Sequence, residues 1–385
     1  MIATVLQPPS PLRVLLLSPY HTGSHRQWAE GLSAASRHDF TLITLPGQFW
    51  KWRLSGGAPA VADGVRGAVA AGGPPDIVLA TSMTDLAAVV GLSRPVLDGI
   101  PIALYMHENQ ITYPVAGRTR AEHRLALISW HSMLAADAIA FNSGFHRDAV
   151  GKALPGLLRA MPDDEVPDPA RLTAKPVVVL PVGVDLGRIT SNPRRREDPP
   201  IVVWNHRWDP DKRPEMFLDA VVDLADEGVA FDVALAGERF AGQSDEYAAQ
   251  VERLGDRVLV AEHLSDHEYV RLLRRADLVV STAVQEFFGV AVVEAMAAGA
   301  MPILPDELVY PERVPNQLHP RCLYRGERQL RDRLREALTD VVGTNLIGEQ
   351  LAESVAGFDW SRAAPRYDDW LASVAAQAPE VKTGS

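Results

Sequence analysis

Short, nearly unbroken apolar runs separated by amphipathic stretches recur along this chain, and that rhythm leaves it few folds to choose from. In the first half the runs are RVLLLS (13–18), FTLITL (40–45), DIVLAT (76–81), PIALYM (101–106), AIAFN (138–142) and PVVVL (176–180). In the second they are IVVWN (201–205), FDVALA (231–236), RVLVA (257–261), DLVVST (277–282) and MPIL (301–304). Runs without polar alternation are strands buried on both faces, and helical stretches between them, such as 25–36 and 120–136, supply the cover. The pattern predicts an α/β chain with parallel sheets, doubly wound. At 385 residues it is long for one such domain. Residues 187–200, GRITSNPRRREDPP, lack apolar periodicity and are rich in Pro and charge, as a linker would be. The expected layout is a domain over 1–188, a linker at 189–200 and a second domain over 201–356. A last segment, 357–385, carries a helix packing back toward the first domain and a loose tail. Two Rossmann-like domains would then face each other across a cleft, with ligands beyond the carboxyl ends of the strands.

Composition removes several classes. No apolar run reaches the roughly 20 residues that span a bilayer, and the N-terminus lacks a basic n-region, so a soluble cytoplasmic protein is expected. Cys322 is the single cysteine, which excludes an internal disulfide and a cysteine metal cage. Net charge is −11, unevenly placed: residues 1–190 hold 16 Lys/Arg against 15 Asp/Glu, and residues 191–385 hold 22 against 34. The acidic half is a poor nucleic-acid surface, so any anionic partner must be met locally in the first half, which also holds seven of the eleven histidines.

Polar residues gather where strands end. SPYHTGSHRQW (18–28) reads as a strand, a turn at Gly23 and a helix opening near Ser24. Gly23 admits a ligand to the backbone and Ser24 can cap the helix, with His21 and His25 at the same mouth. An ordinary capped turn would look the same. In YMHENQITYP (105–114), His107 follows a strand directly, beside Glu108, Asn109 and Gln110, which suits a polar site as well as a satisfied structural histidine. In the second half, Arg207 and Lys212 share a strand-to-helix loop, where a guanidinium fork and an ammonium can converge on a diphosphate. VQEFFGVAVVEAMAAG (284–299) sets Glu286 and Glu294 eight residues apart. They lie about 80° apart on a helix, with Glu286 before its start, which is poor geometry for an acid/base pair flanking a glycosidic bond. The amides of Phe288, Gly289 and Val290 are expected to bind an anion at the helix start, with Phe287 alongside, Glu286 reaching a sugar and Glu294 a ribose.

These segments resemble a known family. EFFGVAVVE (286–294) followed by AMAAGAMPI resembles the E-x7-E signature of retaining GT-B glycosyltransferases, PVGVD (181–185) their strand-end motif, and N-x-R-x4-K (205–212) their donor-phosphate pair. The resemblance implies a nucleotide sugar held by the second domain, an acceptor held by the first, and no obligatory metal. It implies that Arg207 and Lys212 stabilise the leaving diphosphate, that Glu286 orients the sugar and Glu294 the ribose, and that His107 lies near the sugar's reactive face. Front-side displacement is the mechanism it implies, with the leaving phosphate taking the acceptor's proton. More narrowly, SPYHTGSHRQW, LPGQFWKWR (45–53), YMHENQITYP and HRWDPDKRPEMF (206–217) are similar to the tRNA-queuosine mannosyltransferase group. That likeness implies GDP-mannose as donor and queuosine in a tRNA, the aspartate tRNA, as acceptor. Carried over, His21, Ser24, Trp50, Lys51, Trp52, Arg53, Glu108 and Asn109 would contact the acceptor. Gly23 would lie at the donor, and His263, after the run at 257–261, would contact the base. Aromatic rings interleaved with Lys51 and Arg53 suit a stacked base beside phosphates, although FWKWR also reads as a half-buried surface ribbon. A glycosyltransferase using another nucleotide sugar and a small-molecule or lipid acceptor is an alternative. A catalytically silent sugar-nucleotide or RNA-binding protein is a second.

Overall fold

A computed structural model describes residues 10–112, 120–161, 174–191, 194, 198–237 and 247–377, without the side chains of 120–122. Outside it lie Tyr113 and Pro114 of YMHENQITYP, part of the 189–200 segment and the tail from 378. By its contacts the chain divides into two units, residues 1–183 with 360–385, and residues 184–359.

In the first unit six strands form one parallel sheet. They are β1 (Arg13–His21), β2 (Asp39–Pro46), β3 (Ile77–Thr81), β4 (Ile102–Met106), β5 (Ala138–Phe141) and β6 (Val177–Val179). Their order is β2-β1-β3-β4-β5-β6, so the winding reverses between β1 and β3. Alternate residues cover opposite faces, because successive side chains of a strand point to opposite sides. Leu15, Leu17, Val78, Ala80, Leu104 and Met106 join one core with helices α3 (Ala58–Gly72), α4 (Leu86–Leu92), α5 (Arg120–Ala135) and α6 (Gly144–Arg159). On the other face Tyr105 stacks on Trp28 of α1 (Gly23–Ala35) at 4.5 Å, and Tyr367 of the C-terminal helix (Trp360–Ala375) closes over both. That helix is bound by polar contacts too: Trp28 Nε1 donates to Tyr367 Oη at 3.1 Å, and Asp368 accepts from Ser36 Oγ and from the Arg37 amide. Gly183 of PVGVD and Gly31 are small for a packing reason: a Cβ on either would fall 2.3 Å from the Trp360 ring.

The second unit repeats the scheme with β7 (Ile201–Trp204), β8 (Asp232–Leu235), β9 (Val258–Val260), β10 (Leu278–Val280), β11 (Met301–Pro305) and β12 (Leu323–Tyr324) in the order β12-β11-β10-β7-β8-β9, again parallel. Here the winding reverses between β7 and β10. Its short helices α7 (Gly187–Thr190), α9 (Ala248–Leu254) and α12 (His319–Cys322) accompany longer ones, α8 (Pro214–Asp226), α10 (Asp266–Leu273), α11 (Val290–Ala297), α13 (Gly326–Thr339) and α14 (Val341–Val355). Eleven strands match the apolar runs to within three residues at their ends; β12, two residues long, has no run to announce it. No helix among the described residues is long and apolar enough to cross a membrane.

FWKWR departs from expectation. It is no ribbon: Trp50–Gly56 is helix α2, started at Phe49 and following β2. The helix after β1 also starts earlier than read, at Gly23 (φ +48°) with Thr22 before it, so Ser24 lies exposed within its first turn and does not cap it.

Candidate donor site and acceptor-side cluster

In the second unit the reversal between β7 and β10 brings together two loops far apart in sequence, 205–213 after β7 and 281–289 after β10. Thr282 ties them: its hydroxyl donates to the carbonyls of Lys212 and Arg213 (2.6 and 3.0 Å) and accepts from Trp204 Nε1 at 3.2 Å. The Val284 amide donates to the Asp211 carbonyl at 2.8 Å. Held so, Lys212 Nζ donates to the Gln285 carbonyl at 2.7 Å and pairs with Asp211 at 3.2 Å and Glu286 at 3.4 Å. Burial lowers the Lys212 pKa, but the Glu286 and Asp211 carboxylates outweigh burial and the repulsion of Arg207, and the net direction is up. Lys212 is therefore a permanent cation. Arg207 is exposed and pairs with Asp209 at 3.1 Å.

Glu286 corrects the expectation for the helix start. Its Oε1 accepts the amides of Phe287, Phe288 and Gly289 at 3.1, 3.3 and 3.1 Å. The protein's own carboxylate thus takes two of the three amides expected to meet an anion, those of Phe288 and Gly289, together with that of Phe287. Burial raises the Glu286 pKa, yet Lys212, His206 and the amides hold it below the ordinary value. Gly289 precedes α11 at φ +82°, a conformation glycine adopts without strain. The side chains of Phe287 and Phe288 are buried; the Phe288 ring lies under the Arg313 guanidinium at 4.3 Å and against Phe358 at 5.2 Å, and Val290 is half-buried. Glu294 is buried, with Oε1 bound by Arg188 of α7 and Oε2 accepting from Tyr269 of α10 at 3.1 Å. Burial pushes its pKa up despite both partners. Asn205 Nδ2 donates to Tyr269 Oη and to the Ala291 carbonyl, both at 2.9 Å, so Arg188, Glu294, Tyr269 and Asn205 form one polar chain beside α11. His206 is buried next to Lys212; burial, then Lys212, lowers its pKa to about 3. His263 is exposed on the loop after β9. Arg188 and Tyr269 escaped the sequence reading. Arg188 stands three residues beyond PVGVD, but nothing local pairs it with a carboxylate 106 residues on.

In the first unit the polar cluster lies at the carboxyl ends of β1 and β4. His107 packs against Tyr105, Trp28 and His25 at 4.6, 4.5 and 4.7 Å. Both its ring nitrogens are buried without a hydrogen-bond partner among the described residues, and burial, then His25 and His146, lowers its pKa well below the ordinary value. Its carbonyl accepts from Asn142 Nδ2 at 2.8 Å. Asn142 Oδ1 contacts His146 Nδ1 at 2.9 Å, and His146 Nε2 contacts Asn109 Nδ2 at 2.9 Å. An amide oxygen only accepts and an amide NH2 only donates, so His146 is neutral with its proton on Nδ1. Its pKa falls to about 3 through burial.

Asn109 itself corrects an expectation. It is buried, its Oδ1 takes the amides of Ile111 and Thr112 at 2.9 and 2.8 Å, and its Nδ2 serves Thr112 and His146. Its side chain thus ties the loop together and holds it to His146. Trp50 is likewise half-buried, packed on Leu54, Met83, Leu125 and Ile128. Glu108 remains half-exposed, accepting from Gln110 Nε2 at 3.3 Å with His25 Nε2 4.0 Å away. His21, half-buried, contacts Ser18 Oγ at 3.2 Å and Glu30 at 3.4 Å. Gly23, Ser24, Lys51 and Trp52 are exposed, and Arg53 donates to the Pro46 carbonyl at 3.0 Å. His146 and Asn142 were missed by the sequence reading because they lie on another strand and helix from the loop they hold.

Residues 13–184 match the family described as tRNA-queuosine alpha-mannosyltransferase N-terminal, and residues 188–341 match glycosyl transferases group 1. A Drosophila melanogaster protein named tRNA-queuosine alpha-mannosyltransferase is 32% identical over 321 residues, covering 79% of this chain and 82% of the relative. The chain belongs to the tRNA-queuosine alpha-mannosyltransferase family. It is a glycosyltransferase. Among solved structures, a sucrose-phosphate synthase from Thermosynechococcus elongatus superposes with TM-score 0.73 at 16% identity, covering 95% of this chain and 99% of that one. HepE from Anabaena, in complex with UDP and glucose, gives 0.66 at 17% identity, covering 94% and 100%. At such identities the likeness speaks for the fold alone, and that fold is GT-B. In this glycosyltransferase the loop after β7 carries the N-x-R-x4-K segment, and the loop after β10 with the start of α11 carries the E-x7-E segment.

Proposed function

We propose that this glycosyltransferase transfers mannose, with retention, from GDP-mannose to the cyclopentenediol of queuosine in tRNA, the aspartate tRNA being the acceptor and the cytoplasm the compartment. The observation that carries the reading is the likeness to a relative named for this reaction, which extends over both halves of the chain. The site is consistent with it. Lys212, held charged by Glu286 and Asp211, and Arg207, held by Asp209, supply positive charge where a diphosphate would leave. Two cations on one loop take the role a divalent metal plays elsewhere, and the reaction proceeds without one. Glu286 spends Oε1 on three amides, which leaves Oε2, shared with Lys212, to accept from a sugar hydroxyl. Glu294, flanked by Arg188 and Tyr269, is the ribose contact, with Phe287, Phe288, Gly289 and Val290 shaping the floor around it. His263, exposed on the loop after β9, is the contact to the base.

An acceptor hydroxyl oxygen forms the new bond to C1 on the face from which the phosphate departs; the C1–O bond breaks, and the hydroxyl proton passes to the leaving phosphate oxygen. No side chain need act as base. His107 fits this, because its neutral, buried ring is a poor proton carrier while its carbonyl is fixed by Asn142. Incubating the protein with queuosine-containing tRNA and GDP-mannose, UDP-glucose or GDP-fucose, then weighing the nucleosides by mass spectrometry, tests the reading. One hexose on queuosine, from GDP-mannose alone and undiminished by EDTA, is expected. No adduct from any donor overturns it.

A further inference from the structure

Helix α2 sorts the aromatic residues of its segment. Trp50 turns inward onto Leu54, Met83, Leu125 and Ile128. Phe49 and Trp52 turn outward and are 76% and 62% exposed, whereas every other described Phe, Trp or Tyr is buried or half-buried.

Neither outward ring is explained by the fold. Phe49 sits in the left-handed region at φ +55°, ψ +57°, which Asn or Gly adopts more cheaply, and its side chain makes no capping bond to the helix. A bulky residue thus holds a strained backbone while burying almost nothing, and strain that the fold does not need points to a task. Trp52 lies over Gly56 one turn on, where a Cβ would fall 2.7 Å from the ring. Gly56 so provides a seat that keeps the indole in place. The two rings are three residues apart, and both stand in solvent at the start of the helix. Lys51 stands between them, and Arg53 follows. No acidic residue occurs between Asp39 and Asp63, so the segment is a positive island in an acidic chain.

We propose that Phe49 and Trp52 form a stacking platform for unpaired bases of an RNA loop, with Lys51 and Arg53 taking the flanking phosphates and Trp50 anchoring the helix. The inference deepens the reading of tRNA as acceptor and rests on it. Bases present flat π-faces to the rings, and phosphates match the two cations. Of the four residues of WKWR, Trp50 is thereby reassigned to the core, and Phe49 is added to the surface that meets RNA.

The test measures affinity for queuosine-containing tRNA, for its isolated anticodon stem-loop and for a blunt RNA duplex, together with melting temperature and GDP affinity. Phe49→Asn relieves the left-handed strain, so its melting temperature should equal or exceed that of the unmodified protein, while tRNA binding weakens about tenfold. Trp52→Ser should weaken binding about as much. Gly56→Ala adds a methyl group under the indole without removing any ring, and it too should weaken binding while the helix persists. GDP affinity should stay the same throughout, and the blunt duplex should be insensitive to all three changes. Unaltered tRNA affinity in Phe49→Asn and Trp52→Ser overturns the platform. So does equal weakening on the blunt duplex, or capture of anionic vesicles by these rings while tRNA affinity is unchanged. If the unmodified protein mannosylates tRNA and the variants do so equally well, only the platform falls; if it neither binds nor modifies tRNA, the platform falls together with the reading beneath it.

Discussion

At the scale of one residue, Lys212 is the group on which the proposed donor site most depends. A buried ammonium is costly unless paired, and this one is satisfied by a backbone carbonyl and two carboxylates. Lys212→Ala should lower kcat at least about a hundredfold, the usual effect of deleting one preorganised charge at a transition state. Steady-state kinetics with saturating tRNA checks this, and a variant within threefold of the parent would remove Lys212 from the leaving-group site. The residue types at this site were legible in the sequence. Their partners were not: Glu286 reads as a sugar ligand, but its Oε1 turns back onto the three amides that follow it. Asn109 likewise reads as an acceptor contact and proves to be the tie between a loop and His146.

At the scale of elements, the loop after β7 owes its place to a close approach of backbones. Gly237, just past β8, lies so near the loop after β7 that a Cβ would fall 1.8 Å from the His206 carbonyl oxygen. That neighbour is main chain and cannot swing aside. Gly237→Ala should therefore cost about 1–3 kcal/mol of stability, as overpacking does, and displace Lys212 from Glu286. Calorimetry and GDP titration should show both losses together; a normal GDP affinity would mean that the loop is positioned from elsewhere. Strand positions were readable from apolar runs alone because burial on both faces leaves a local signature. Helix α2 was not, since seven residues rich in Trp, Lys and Arg carry no clear period.

Across the whole chain, His107, His146 and His206 are buried neutral, two of them with pKa values of about 3. The sign follows from linkage. Below the ordinary value near 6.5 the unfolded chain binds a proton at each of these sites and the folded chain does not, so stability falls as pH drops from about 6.5 toward 3. Each histidine contributes a slope of about 1.4 kcal/mol per pH unit in that window. Urea unfolding at pH 7, 6 and 5 should show the decline, and His146→Gln should make it shallower by about one proton. An unchanged slope in that variant would mean that His146 is protonated in the folded protein.

By itself the sequence determined the fold class, the places of nearly all strands, and the family, because double-sided burial and ligand motifs are written in neighbouring residues. Only the tertiary structure decided which groups meet. The reversal of strand order between β7 and β10 brings Lys212 to Gln285 and Glu286, more than seventy positions away, and packing beside α11 sets Arg188 and Tyr269 on Glu294. The structure alone also turned Trp50 inward and left Phe49 and Trp52 in solvent. Periodicity along a chain records how each segment is covered; the pairing of charges depends on sheet order and helix rotation, which no single segment contains.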